Sequence, residues 1–296
     1  MVDGSQEVQI REAQPKLESW NSTTLETHLA KWMKDGVRVH LNEKEFPPSM
    51  DLADIGIYTD EIGVETEQDP EARERAGTMV MTKAEPSRLI ASEFTVLTHS
   101  GMITAEGELL PMGFVTEETA GAPLYDGLVY LGHSHPPLGP RVFSPPDCLR
   151  MLQGGEYACI VNGLSNGREK YIIFRTADTR FISLERAEEG IRRAIADETS
   201  VKPEDVSDQL VNQTLLESMM VVLYKEFPPV TTVLVQRLAT TPYKDWWSIA
   251  KEIHQLERIY DRFLRGFAKK HHLVIYRGTT GDQHVVKHDL NVPLIS

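Results

Sequence analysis

Residues 128–152 read LVYLGHSHPPLGPRVFSPPDCLRML. An apolar run, residues 128–131, ends at Gly132 and delivers His133, Ser134 and His135. In an extended backbone residues i and i+2 point to the same face, so this spacing predicts both imidazoles on one side of a strand end, within reach of a single metal ion. Downstream, Ser144-Pro145-Pro146-Asp147 has the form of a helix start. Ser144 is the expected cap, Pro145 the first helical residue, whose missing N–H costs nothing, and Asp147 a first-turn carboxylate that can face the histidines. Two His and one carboxylate leave the fourth tetrahedral position of zinc open, the pattern of a catalytic rather than a structural site. His-x-His alone is a weak signal, because ten His in 296 residues give one by chance in roughly a third of such chains. The apolar strand before it, the proline after it and the Ser-x-x-Asp helix start carry the specificity.

Outward from this stretch, residues 77–184 consist of short apolar runs separated by Gly, Pro and Asn, the texture of strands. Strands are expected at 78–81, 93–98, 110–115, 128–131, 158–161 and 171–175. The last two flank NGLSNGREK, residues 162–170, whose two Asn-Gly pairs favour a hairpin. Beyond Leu184 the period becomes helical: residues 184–196 and 206–227, then a stripe through Ile249, Ile253, Leu256, Tyr260, Phe263 and Phe267. Before residue 77, Leu25, Leu29 and Trp32 follow Ser22-Thr23-Thr24 as a short capped helix, VRVHL at 37–41 alternates like a strand, and Asp60 to Glu74 holds seven acids against Arg73 alone. That acidic stretch reads as a solvated loop or helix face. The expected organisation is an N-terminal segment (1–76), a central strand-rich domain (77–184) and a mainly helical C-terminal domain (185–296).

Forty-four acidic against 31 basic residues give a net charge of −13 and a pI near 5.3, which argues against holding nucleic acid or an anionic membrane by bulk charge. Lys269-Lys270-His271-His272 suits the C-terminus of a helix, where cations complement the dipole. No apolar window approaches the roughly 18 residues of a membrane span, and the first residues lack the form of a secretory signal, so a cytoplasmic location is expected. Cys148 and Cys159 cannot supply a disulfide framework and read as buried apolar residues.

His133-Ser134-His135, the spacer and Ser144-x-x-Asp147 resemble the JAMM signature of the JAB/MPN zinc metalloproteases over residues 77–184. The spacer, residues 136–143, is one longer than the family's seven. The resemblance implies an α/β domain built on a curved mixed sheet flanked by helices, and a zinc-dependent peptidase or isopeptidase with a ubiquitin-like protein or its conjugate as substrate. His133, His135 and Asp147 are the implied zinc ligands, Ser144 the hydroxyl that stabilises the tetrahedral intermediate, and an upstream Glu the residue that polarises water. That Glu must lie on a strand adjacent to the histidines. Glu93, opening EFTVLT after the helix-like EPSRLIAS, is the choice, although the Gly that often follows the family's Glu is missing after it; Glu85, Glu106 and Glu108 compete. The rival reading is a catalytically silent JAB-like scaffold that binds partners through its C-terminal helices, and a third keeps the enzyme with a linear peptide substrate.

Overall fold

A computed structural model describes residues 20–34, 39–70, 72–80, 89–91, 95–96, 128–152, 160–180, 184–207, 211, 214 and 227–295. In chain order these form α1 (Ser22–Lys34), β1 (Ser49–Asp51), α2 (Asp54–Gln68), β2 (Arg75–Val80), β3 (Ile90–Ala91), β4 (Thr95–Val96), β5 (Leu128–Ser134), α3 (Pro145–Arg150), β6 (Val161–Ser165), β7 (Glu169–Phe174), α4 (Leu184–Thr199), α5 (Val230–Thr240), α6 (Ala250–His271), β8 (Val274–Thr279) and β9 (His284–Lys287). One mixed sheet of nine strands takes the order β1-β9-β8-β7-β6-β5-β2-β3, with β4 also on β2. Among the described strand pairs only β5–β6 is parallel. The chain is therefore of the α/β class.

Side-chain alternation divides the core into two layers. Tyr130, Ile172, Phe174, Val274 and Tyr276 pack with Leu25, Leu29 and Trp32 of α1 and Ile55, Tyr58 and Ile62 of α2. Leu131, Leu164, Tyr171, Ile173 and Ile275 face the other way, onto Cys148, Met151 and Leu152 at α3 and Leu256, Tyr260, Leu264 and Phe267 of α6. The stripe expected on the last helix is thus a core face. His133 shares the α3–α6 side with Leu131, and Ser134 turns to α2, where its hydroxyl meets Thr66.

The sheet crosses both expected boundaries, since β1 lies before residue 77 and β8 and β9 lie inside the segment expected to be mainly helical. Other departures have local causes. Asn21 caps α1 in place of Ser22, accepting from Thr24 N at 3.1 Å. The strand expected at 37–41 is absent over its described residues, 39–41, where Leu41 O accepts from Ala177 N across a loop. The hairpin forms as β6–β7, but its turn uses only the second Asn-Gly pair, with Gly167 at φ 78°. The first pair is inside β6 because a Cβ on Gly163 would lie 2.2 Å from the Tyr130 hydroxyl, so glycine is spent there on packing. The acidic stretch is only partly solvated: Asp60 and Asp69 are buried, the first bonded to Lys170 Nζ at 2.7 Å and the second to Arg75 at 2.7 Å. The expected strand at 110–115, most of the helix at 206–227 and Cys159 lie outside the described residues.

Candidate metal centre

β5 ends at Ser134 and His135 follows it, held to β6 by its N–H to Ser165 O at 2.9 Å. His133 and His135 consequently project from one face, with ring centroids 5.1 Å apart. Asp147 enters from the first turn of α3. All three side chains are buried, and one ligand atom from each lies within 4.8 Å of the others. His133 Nε2 is 3.3 Å from Asp147 Oδ1, and His135 Nε2 is 3.6 Å from Asp147 Oδ2. Two donors each bound at about 2.05 Å to a tetrahedral ion stand about 3.3 Å apart, so these separations suit a shared cation. Apart from this approach to Asp147, whose angles are not those of a hydrogen bond, His133 Nε2 is a buried nitrogen with no partner, an expensive state unless a cation or water completes it. The expected ligand set is brought together, and the group could hold a metal ion.

Supporting contacts aim these ligands. His135 Nδ1 is 2.7 Å from Pro140 O; a carbonyl only accepts, so Nδ1 carries a proton and Nε2 is the nitrogen directed at the site. Ser144 donates from its backbone N at 2.8 Å and its hydroxyl at 2.5 Å to Asp147 Oδ2, which leaves Oδ1 toward His133. The Ser144 hydroxyl therefore holds the carboxylate instead of capping a backbone N–H. The next loop residue, Arg141, is clamped by Glu257 of α6 through its N, Nε and Nη2 at 2.9, 2.6 and 3.0 Å. Burial pushes the Glu257 carboxyl up, but the Arg141 hydrogen bonds outweigh it and hold the group ionised below its ordinary range. Because Pro140 O orients His135, loosening the neighbouring Arg141 should weaken the metal site. Glu257→Gln is expected to reduce whatever affinity the group has for a divalent cation about 10-fold to 100-fold, as loss of outer-shell support typically does. Competition with a chelator measures it; an affinity within twofold of the unaltered chain would show that the loop holds itself.

The strand adjacent to the histidines is β2, antiparallel to β5 with Ala76 opposite His133. Continuing that register by two residues sets Glu74 opposite His135, on the same face, because directly opposed residues of an antiparallel pair share a side. Glu74 is half-buried, and its charge is one of the influences that raise the His135 pKa. Glu93, Glu85, Glu106 and Glu108 lie outside the described residues; β3 and β4, which flank position 93, pair with the edge of β2 away from β5. Glu74 is a carboxylate beside the candidate ligands that sequence reasoning did not single out. Its signal was Glu74-x-x-Gly77, a glycine three residues on. That glycine is required, since a Cβ on Gly77 would lie 2.1 Å from the Tyr58 hydroxyl of α2.

Electrostatics bind the cluster even without a cation. Burial alone would raise the Asp147 carboxyl, but the His133 and His135 imidazoles hold it well below the usual carboxylate range. Burial favours neutral His135, yet its bond to Asp147 and the charges of Glu74 and Asp147 push its pKa up to about 9. An incoming cation must displace that proton. Cys148 beside Asp147 points into the core, where burial pushes its thiol up and keeps it protonated.

No family model, curated protein or solved structure matches the chain. Among the described residues no helix is long and apolar enough to cross a membrane.

Proposed function

We propose that the chain is a zinc-dependent metallopeptidase or isopeptidase of the JAB/MPN kind, hydrolysing an amide bond of a ubiquitin-like protein or its conjugate. The observation that carries this reading is the convergence of three buried donors, His133, His135 and Asp147, with an otherwise unpartnered Nε2 on His133. Two imidazole nitrogens and one carboxylate from a strand end and a helix start are a donor set that zinc accepts, with a fourth position left for chemistry. Bound there, zinc would supply Lewis acidity, lowering the pKa of water toward about 7 and polarising a carbonyl.

The chain's own residues then divide the work. His133 and His135 present their Nε2 lone pairs, and Pro140 O keeps His135 from turning. Asp147 contributes charge while Ser144 fixes its rotamer. Glu74 takes one proton from the attacking water as its oxygen joins the carbonyl carbon. The same carboxyl returns that proton to the departing amide nitrogen as the C–N bond breaks. Ser144 can reach a developing oxyanion only by giving up its bond to Asp147, so its first task is to hold the ligand.

The test is metal content and cleavage together. Purified chain is expected to carry one zinc and to cleave an isopeptide-linked ubiquitin-like substrate, with activity lost on chelation and restored by zinc. A folded chain that takes up no metal at micromolar zinc overturns the enzyme reading, and cleavage confined to linear fusions overturns the isopeptidase part of it.

A further inference from the structure

Away from the metal centre, α6 carries Lys251, His254, Arg258 and Arg262 at intervals of three, four and four, which makes them one exposed stripe. With Val230 of α5 and Ile259 they line a groove of about 460 Å³. Cations elsewhere on this protein are commonly neutralised one turn away, as in Arg265–Asp261, Arg193–Glu189 and Arg73–Asp69. The stripe does the opposite: four residues before Arg262 stands Arg258, and four before Arg258 stands His254. Like charges at that spacing repel and cost the helix stability. The three acidic residues of α6 are engaged off the stripe, Glu252 with Arg237 at 3.6 Å, Asp261 with Arg265 at 3.1 Å and Glu257 with Arg141, although Glu257 also touches His254 at 3.3 Å. Lys251, Arg258 and Arg262 have no ion-pair partner among the described residues.

We propose that this groove binds an acidic polypeptide segment bearing an apolar side chain, the carboxylates meeting Lys251, Arg258 and Arg262 and the apolar group meeting Val230 and Ile259. From Lys251 to Arg262 the helix rises about 16 Å, the length of roughly five extended residues. A peptide fits better than a nucleic acid on two grounds. The net charge of −13 repels a long polyanion, whereas a short acidic segment feels mainly the local field. The groove also offers aliphatic walls in place of the aromatic platforms on which bases stack. This proposal does not depend on the metal reading, and its test involves no catalysis.

The probe is a fluorescein-labelled nine-residue peptide of Glu and Asp around a central Leu, titrated with the full chain. Saturable binding at 50 mM salt, weakened about tenfold or more by 300 mM salt, is expected for screened charges, with no binding by the same peptide carrying Lys for each acid. Arg258→Glu should lose at least tenfold in affinity while its melting temperature holds or rises, because an acid four residues before Arg262 replaces repulsion by attraction. Arg262→Gln should lose affinity as well. Equal binding by Arg258→Glu, no binding by the unaltered chain at 50 mM salt, or tighter binding of a nine-nucleotide single-stranded DNA than of the peptide would each overturn the proposal.

Discussion

Glu74→Gln is expected to retain one zinc per chain and to lose about 10²-fold to 10⁴-fold in turnover, the range that a positioned general base contributes. The amide keeps the size and most of the packing of the carboxylate, so the half-buried position before β2 tolerates it. It cannot take a proton at neutral pH. Glu74 is not among the three donors, so zinc stays. The effect on His135 is secondary: removing one nearby negative charge lowers its pKa and makes the ring easier to metallate, so metal affinity near pH 7 should hold or improve while turnover collapses. Glu93→Gln provides the contrast. If that change stops turnover while Glu74→Gln leaves it within threefold of the unaltered chain, the register argument that places Glu74 opposite His135 is wrong and the base belongs to the segment beyond β2. Single-turnover cleavage with zinc-loaded protein separates the two, since it reads the chemical step without product release.

The difference between these two glutamates shows what the sequence could and could not reveal. The ligand set was legible because each part depends on a local rule: alternation aims His133 and His135 together, and Ser144-Pro145-Pro146-Asp147 starts a helix wherever it is placed. Glu74 depends on strand register, which brings residues 74 and 135 together across a gap that no local period spans. Its marker, Gly77, acquires meaning only once the Tyr58 ring of α2 is known to lie against it. The Glu257–Arg141 clamp is further still from local reading, joining positions 116 apart. The same limit explains the expected three-part organisation. The texture changes near residues 77 and 184 are real as sequence, but β1, β8 and β9 complete one sheet by pairing that is not local. The two Asn-Gly pairs failed in the reverse sense: both suit a turn, and the Tyr130 ring over Gly163 decides which one makes it.

Asp147→Asn is expected to weaken zinc binding by about a hundredfold to a thousandfold, roughly one ligand's share of the 10–16 kcal/mol that four ligands supply to a zinc site. The fold should survive, because the asparagine carbonyl oxygen can still accept from Ser144 N and Oγ as Asp147 Oδ2 does. A second readout distinguishes loss of a ligand from general loosening. In the unaltered chain Asp147 helps push His135 up to about 9, so at pH 7 zinc must expel a proton from that ring. Zinc affinity should therefore fall about tenfold for each pH unit below about 9. Burial is the largest single influence on His135, and without the Asp147 charge and hydrogen bond only Glu74 and the Pro140 carbonyl oppose it, so the pKa falls and less proton is left to displace at pH 7. Calorimetry in two buffers of different ionisation enthalpy should accordingly find the protons released per zinc reduced by about one, together with a shallower dependence of affinity on pH. A variant that binds zinc within tenfold of the unaltered chain, or that releases the same number of protons, would mean that Asp147 is a neighbour of the two histidines and not their partner at a metal.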